Sequence, residues 1–233
     1  MEATLRQGLT ALELPTENVC SFLRYGEMLI ETNKVMNLTA ITEPKDVATL
    51  HFLDCAALAH LYDFKGKTVA DVGTGAGFPG LPLKILVPEL EIVLLDSLNK
   101  RVNWLNEVIA ELGLTGIKAI HARAEEQALV KGYRDSFDFV TARAVADLRL
   151  LGEICLPYAK VGGTFLSMKS VGSDEELQNA AHAIKFMGGR VRGSEDYTIP
   201  GTDVTHRVLF IDKVAPTLKG YPRRWAKIQK DPL

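Results

Sequence analysis

The fold of this chain is decided by one stretch of its sequence, Asp71-Val-Gly-Thr-Gly-Ala-Gly-Phe-Pro-Gly80. The apolar run Thr68–Val72 predicts a buried strand, and a helical pattern that ends near Pro88 begins directly after the glycines. Glycines at such a turn let the backbone bend tightly and let a ligand approach the main chain. The stretch therefore predicts a strand, a ligand-binding loop and a helix, in that order.

Short apolar runs alternate with helical patterns on both sides of this stretch, from Lys67 onward. The predicted strands are residues 68–72, 91–96, 117–121, 137–142, 164–168 (after a turn at Gly162-Gly163), 190–198 and 206–213, with a helix at about 174–187. Strands that alternate with helices indicate a parallel sheet covered on both faces. No helix separates the last two strands, so one of them is expected to run antiparallel. The prediction is an α/β fold with a Rossmann-like, doubly wound, seven-stranded and mostly parallel sheet.

The first 63 residues predict helices only. Leu5 and Leu9 recur at helical spacing, a second helix follows with Thr16 as its expected cap, and Pro44 suits the first turn of a third. We therefore expect an N-terminal helical segment, residues 1–63, packed on a main domain, residues 64–233.

The composition excludes several classes of protein. Of the 233 residues 47% are hydrophobic and 24% are charged, which is ordinary for a globular chain. Three scattered cysteines exclude a disulfide framework and a CxxC zinc module. The sequence contains no run of 18 consecutive apolar residues, so it predicts no membrane-spanning helix. The start resembles no signal peptide. The expectation is a cytoplasmic protein without metal or membrane contact, for which a monomer suffices. Four histidines that form no metal-ligand pattern are interpreted as surface or packing residues: His60, His121, His182 and His206.

The charge of the chain is unevenly distributed although its net value is only −2. Residues 1–63 carry 4 basic and 9 acidic residues, whereas residues 181–233 carry 10 basic and 5 acidic residues. Such asymmetry indicates either an anionic partner at one end or a solvated basic tail. In the tail, Tyr221 and Trp225 lie among the basic residues, a pattern that suits RNA but equally suits a tail packed on the domain by Trp225.

An acidic residue at the end of the second strand strengthens the prediction of a nucleoside ligand. Asp96 lies 23 residues after Gly73, and its two carboxylate oxygens can accept hydrogen bonds from the two hydroxyl groups of a ribose. Phe78 stands where the dinucleotide fingerprint GxGxxG has its third glycine. A phenyl ring there would obstruct a pyrophosphate at the helix N-terminus, which argues against a nicotinamide dehydrogenase.

Together, the loop and Asp96 resemble the S-adenosylmethionine site of class I methyltransferases. The whole chain is similar to the small-subunit rRNA (guanine-N7)-methyltransferase family, also called glucose-inhibited division protein B. The similar pieces are residues 33–41, 51–54, 71–80, 96–101, 123–126, 141–146, 162–169 and 221–224. The resemblance implies methyl transfer from S-adenosyl-L-methionine to N7 of guanine 527 (standard rRNA numbering) in the 530 loop of 16S rRNA, with the small ribosomal subunit as partner.

The same resemblance implies the residues of the site. The cofactor would be bound by Gly73, Gly75, Gly77, Phe78, Asp96, Ser97, Leu98, Ala124, Glu125 and Arg143. Basic candidates for RNA contacts are Lys100, Arg101, Arg123, Lys169, Arg223 and Arg224. The catalytic residues are left unassigned, with Arg143 and His51 as candidates.

Arg143 is informative because it interrupts an apolar run, and a charge there must be paired or must bind a ligand. It could meet the cofactor carboxylate or a substrate phosphate, or form an internal salt bridge with Asp71 or Asp138. His51 and Asp54 are three residues apart on a predicted helix and could share a face near the site, although a histidine in such a helix is as often structural.

The implied chemistry needs no general base, because N7 of guanine is an unprotonated lone pair at neutral pH. Positioning for in-line displacement at the sulfonium methyl can then carry the reaction. The sequence accordingly has no nucleophile–base motif. Two alternatives stay open: a class I methyltransferase with another substrate, and a non-catalytic RNA-binding relative.

Overall fold

The computed structural model describes residues 1–143 and 146–233. Its sheet has seven strands in the order β3-β2-β1-β4-β5-β7-β6, and β7 runs antiparallel to both of its neighbours. The predicted doubly wound, mostly parallel sheet is therefore confirmed, as is the antiparallel strand near its end. The strands are β1 Thr68–Val72, β2 Glu91–Asp96, β3 Ile117–His121, β4 Phe137–Arg143, β5 Ala159–Ser170, β6 Gly189–Thr198 and β7 Thr205–Lys213.

Helices cover the faces of the sheet and fill the N-terminal segment. The α-helices are α1 Glu2–Ala11, α2 Val19–Met36, α3 Pro44–Asp46, α4 Asp54–Leu61, α5 Gly80–Leu86, α6 Asn99–Glu111, α7 Ala124–Gln127, α8 Leu148–Cys155, α9 Asp174–Phe186 and α10 Trp225–Lys230. A π-helical segment, Val47–Leu53, joins α3 to α4, and a 3-10 turn, Leu156–Tyr158, follows α8.

The strand order creates the crevice in which a ligand can bind. The chain moves outward from β1 to β3 and then returns to place β4 on the other side of β1. At such a switch point the loops at the carboxyl ends of the strands diverge. Because β7 is antiparallel, its first residues lie at this same edge, where His206 pairs with Ser170 at the end of β5.

The fifth strand is longer than its pattern predicts. It begins at Ala159, so the Gly162-Gly163 turn lies inside the strand. The pairing with β4 shifts register between Phe137 and Phe139, which is the signature of a bulge. Only a glycine fits at 163, since a Cβ there would lie 2.7 Å from the Asp138 carbonyl oxygen.

The N-terminal segment departs from expectation at two points. Thr16 does not cap the second helix, because Asn18 precedes its first turn and donates its side-chain amide to the Ile85 carbonyl oxygen at 2.8 Å. Pro44 does occupy the first turn of α3 as predicted. The helix then widens into a π-helix, a form often found at functional sites, which the sequence pattern did not indicate.

One hydrophobic core joins the N-terminal helices to the sheet. Fully buried Leu5, Phe22 and Tyr25 pack in the same cluster as Phe78 and Leu81 next to the glycine loop. The core is thus continuous across residue 63, and the division of the chain at that residue stays a prediction. None of the helices in the described ranges is long and apolar enough to span a bilayer.

Candidate active site

A cavity of about 1020 Å³ opens at the carboxyl edge of the sheet. One side, called here the loop side, is formed by Gly73, Thr74, Gly75, Ala76, Asp96, Ser97 and Leu98. The other, called the acceptor side, is formed by the π-helix, the first residue of α4, the carboxyl ends of β4 and β5 and the start of β7, and includes His51, Asp54, Arg143, Met168, Lys169 and His206. This is the edge at which ligands of doubly wound sheets bind.

The glycines of the loop do different work. Gly73, Gly75 and Gly77 all adopt positive φ angles, of 70°, 61° and 100°, which favour glycine. A Cβ on Gly75 would meet nothing within 4 Å and would project into open space. A Cβ on Gly77 would instead lie 2.5 Å from Leu81 and 2.8 Å from the Tyr25 hydroxyl, so Gly77 serves packing and does not line the cavity.

A buried carboxyl group fastens the loop from below. Asp71 accepts hydrogen bonds from the hydroxyls of Thr74 (2.6 Å) and Thr141 (2.9 Å) and from the backbone N–H of Gly80 (3.0 Å). It thereby ties β1 to the loop, to β4 and to the start of α5. Burial raises the pKa of Asp71 to about 6, against the opposing effect of the three hydrogen bonds.

Asp96 is the acid of the loop side, where it is 5% exposed. Its Oδ2 accepts the N–H of Gly75 at 3.0 Å and its Oδ1 accepts the N–H of Leu98 at 2.8 Å. Arg101 approaches Oδ2 at 3.7 Å. Each carboxylate oxygen has a second lone pair, so the fixed carboxylate can still accept from a ribose hydroxyl. The loop side thus fits the nucleoside of S-adenosylmethionine.

Phe78, His51 and Arg143 form one wall of the cavity, called here the aromatic wall. The ring of Phe78 stacks on His51 with centroids 4.4 Å apart, and the guanidinium of Arg143 lies 4.7 Å from the Phe78 centroid. Arg143 donates to His51 Nδ1 at 2.9 Å. Because an arginine can only donate, Nδ1 carries no proton, and Nε2–H donates to the Thr39 hydroxyl at 2.7 Å. Burial and the Arg143 charge lower the pKa of His51 to about 3, so this histidine stays neutral.

Asp54 is the hub of the acceptor side. Its Oδ2 accepts from Arg143 at 2.9 Å, and its Oδ1 accepts from the hydroxyl of Tyr197 and from Nδ1 of His206, each at 2.8 Å. Burial would raise its pKa, but the hydrogen bond from His206 and the charge of Arg143 outweigh burial and hold the pKa below its ordinary value. The salt bridge of Arg143 is therefore to Asp54 and not to Asp71 or Asp138, the two partners that the sequence suggests. Asp54 is the first residue of α4, directly after the π-helix that carries His51, and both side chains contact Arg143 at the end of β4.

Most of the residues expected at the cofactor lie together in the cavity: Gly73, Gly75, Phe78, Asp96, Ser97, Leu98 and Arg143. Gly77, Ala124 and Glu125 do not line it. Ala124 and Glu125 are the first two residues of α7. They lie near Asp96 at the end of β2, since the N–H of Ala122 donates to the Asp96 carbonyl oxygen at 3.1 Å. Ala144 and Val145, within the 141–146 motif, lie outside the described residues.

The basic residues expected at RNA occupy unlike environments. Arg101 and Lys169 line the cavity, and Lys100, Arg123 and Arg224 are exposed. Lys169 is engaged with Glu176 at 2.6 Å and with the Ala146 carbonyl oxygen at 2.8 Å.

A salt bridge and several hydrogen bonds hold the basic tail, residues 217–233, against the rest of the domain. Arg223 is paired with the fully buried Glu153 at 2.6 Å, which gives Arg223 an internal role in place of a free phosphate contact. Arg134 donates to the carbonyl oxygens of Thr217, Leu218 and Tyr221 at 2.9, 3.0 and 2.6 Å. Trp225 is partly buried and packs against a second hydrophobic cluster, which includes Leu151, Ile154 and Ala180. The packing interpretation of Trp225 is therefore the one that the structure supports.

Sequence reasoning missed several residues of the acceptor side: Thr39, Ile41, Leu50, Met168, Ser170, Val204 and His206. His206 had been interpreted as a surface or packing residue. One signal was available, since the first residues of an antiparallel strand must lie at the carboxyl edge of its parallel neighbours. Among the described residues no cluster of three His, Cys, Asp or Glu could hold a metal ion.

Comparison with known proteins agrees with this architecture. The family described as rRNA small subunit methyltransferase G matches residues 18–197. Ribosomal RNA small subunit methyltransferase G of Clostridium perfringens (strain 13 / Type A) is 45% identical over 95% of this chain and 93% of its own length. The protein of the same name from Lachnoclostridium phytofermentans is 47% identical over 99% of this chain and 97% of its own.

Solved structures share the fold at low sequence identity. A SAM dependent methyltransferase from Aquifex aeolicus superimposes with a TM-score of 0.54 at 19% identity, covering 76% of this chain and 97% of that one. Geranyl diphosphate C-methyltransferase from Streptomyces coelicolor A3(2), solved with S-adenosyl-L-homocysteine, gives a TM-score of 0.52 at 10% identity, over 67% of this chain and 76% of that one. The fold is that of class I S-adenosylmethionine-dependent methyltransferases. With a match over most of its length, the chain belongs to the rRNA small subunit methyltransferase G family.

Proposed function

We propose that this chain transfers a methyl group from S-adenosyl-L-methionine to N7 of a guanine, position 527 in standard numbering, in the 530 loop of 16S rRNA. The observation that carries the proposal is one continuous cavity, which joins a glycine loop and a buried acid to an open acceptor side. Membership of a family named for methylation of small-subunit rRNA supports the choice of substrate.

The loop side is the place for the cofactor. Asp96, fixed by the N–H groups of Gly75 and Leu98, would accept the ribose hydroxyls. Gly73 and Gly75 line the cavity without side chains, and the open space beside Gly75 would take the methionine portion. When bound, the cofactor supplies a methyl group on a positively charged sulfur.

The chemistry on the acceptor side is displacement in line with the carbon–sulfur bond. The N7 lone pair forms the new bond to carbon, the bonding pair leaves with sulfur, and the positive charge passes to the guanine ring. No proton has to be removed first. Neither His51 nor Arg143 has to act as a base, since Arg143 donates to His51 Nδ1 and both side chains lie against the Phe78 ring. The chain acts by orienting the two reactants and excluding water.

The test is transfer of a tritiated methyl group to purified small ribosomal subunits and to naked 16S rRNA, followed by mapping of the modified base. We expect label at N7 of one guanine in the 530 loop. Asp96→Asn, which removes the charge but keeps the shape, should weaken cofactor binding, whereas Asp63→Asn on the exposed surface serves as the matched control. Label in protein or in a small molecule, and none in rRNA, would refute the substrate.

A further inference from the structure

The acceptor side of the cavity contains several polar side chains, and nearly all of them are committed to one another. His51 uses both ring nitrogens, on Thr39 and on Arg143. Arg143 is bound to Asp54, and Lys169 is bound to Glu176. These groups fix one another, and none of His51, Arg143 and Lys169 has a free lone pair with which to accept a hydrogen bond from a base.

His206 differs from the others because only one of its ring nitrogens is engaged. Its Nδ1 is bound to Asp54, and no described residue hydrogen-bonds its Nε2. The side chain is 34% exposed and lines the cavity. It stands at the start of β7, opposite Ser170, three strands from the glycine loop in the order β1-β4-β5-β7. The glycine loop and His206 line the same cavity, so a base bound in it can lie beside Nε2.

Asp54 fixes both the orientation and the hydrogen-bonding character of His206. An ionised carboxylate accepts only, so Nδ1 must carry the proton. In the neutral imidazole Nε2 is then a lone-pair acceptor. Tyr197 and Arg143 complete the shell of Asp54, which locks the carboxylate and, through it, the ring.

We propose that His206 recognises the target guanine by accepting a hydrogen bond from its N1–H through Nε2. This inference rests on the proposed function and names the residue that selects the base. Adenine has a lone pair at N1 in place of a proton, so it offers Nε2 no donor at that atom. N7 lies on the opposite edge of the purine and remains free to face the methyl group.

The same hydrogen bond favours the reaction as well as the choice of base. Methylation places a positive charge on the ring, which makes N1–H a stronger donor. The bond to a neutral acceptor therefore strengthens as the charge develops, and that is the condition for catalysis by differential binding. No proton is transferred.

The charged and titratable groups around His206 define its pH behaviour. They are Asp54 from α4, Arg143 from β4 and Tyr197 from β6. The hydrogen bond to Asp54 raises the pKa of His206 above its ordinary value, against burial and the Arg143 charge. Because protonated Nε2 cannot accept, kcat/KM for RNA should fall as the pH drops through that pKa.

The experiment compares His206→Phe, which keeps a ring but has no acceptor, with His206→Gln, whose amide can donate to Asp54 and accept from the base. The matched control is His182→Phe on the exposed face of α9. We measure methyl transfer to small subunits, cofactor affinity by calorimetry, and the pH profile of kcat/KM. His206→Phe should lose about tenfold in kcat with cofactor affinity within twofold of the parent, in line with one lost hydrogen bond. His206→Gln should lose less, and its acid limb should disappear.

Unchanged kcat in His206→Phe, or an acid limb that persists in His206→Gln, would overturn the inference. Equal losses in the two variants would also overturn it, because they would show a structural role. If His206→Phe does not fold, the pH profile of His206→Gln decides. A parent protein that methylates no rRNA at all would instead refute the proposed function, and the two failures are thereby distinguished.

Discussion

Replacement of Gly75 by alanine tests the loop side, because the same chain contains a matched control. Gly75 and Gly113 both have φ of 61°, and a Cβ on either would meet no protein atom within 4 Å. Gly113 lies just past the end of α6, away from the cavity. The two substitutions therefore carry the same backbone strain, and only one of them places a methyl group where the cofactor is proposed to bind.

The magnitudes follow from the backbone conformation. A non-glycine residue at this φ costs about 1–2 kcal/mol, and neither methyl group adds a clash. In a chain of this size each kcal/mol lowers the Tm by about 2–4 °C, so both variants should melt about 2–8 °C below the parent. Gly75→Ala should in addition weaken cofactor binding by tenfold or more, a change of about 1.4 kcal/mol, while Gly113→Ala should bind as the parent does.

The assays are thermal unfolding without ligand and isothermal titration with S-adenosyl-L-homocysteine. Equal melting temperatures for the two variants would show that the strain is matched. Cofactor affinity of Gly75→Ala equal to that of Gly113→Ala would refute the placement of the cofactor against this loop.

Three further predictions concern buried charges, each measured by urea unfolding. Asp54→Asn removes the carboxylate that neutralises Arg143 in the cavity wall and should reduce the free energy of unfolding by about 3 kcal/mol. A loss below about 1 kcal/mol would contradict the central role of Asp54 in this hydrogen-bond network. Burial raises the pKa of Asp71 to about 6. Protonated Asp71 therefore contributes to the free energy of unfolding at low pH, and this contribution is lost as the pH rises from about 4 to 6. Relative to Asp71→Asn, the parent should lose about 3 kcal/mol over that interval, and parallel pH profiles would disprove it. Arg223→Met leaves fully buried Glu153 without its partner and should lower the free energy of unfolding by about 3 kcal/mol. Arg224→Met, at an exposed position, should change it by less than about 0.5 kcal/mol. Equal effects of the two substitutions would show that the Arg223–Glu153 salt bridge does not hold the tail on the domain.

The strands could be predicted from sequence because each is a short apolar run bounded by turn residues. The limits predicted for β1, β2 and β3 coincide with those observed. The start of β5 was predicted too late, because Gly162 and Gly163 indicate a turn but lie within the strand beside a bulge. The π-helix at 47–53 could not be predicted, since its residues have an ordinary helical pattern.

The candidate site was predictable where a motif lies along the chain, and less so where tertiary structure assembles it. The glycines and Asp96 follow strands, so their place at one edge was implied by a parallel sheet. The partners of Asp54 come from β4, β6 and β7, and no spacing in the sequence reveals that they meet. The position of His206 in the site depends on the register of β7 against β5, which pairs it with Ser170.

The most direct test of the account is a crystal structure of this chain with S-adenosyl-L-homocysteine. We expect the ribose hydroxyls within hydrogen-bonding distance of the Asp96 carboxylate, the amino-acid portion against Gly73 and Gly75, and the sulfur facing the side that holds His206. A product molecule bound outside this cavity, or within it with its ribose away from Asp96, would contradict the account.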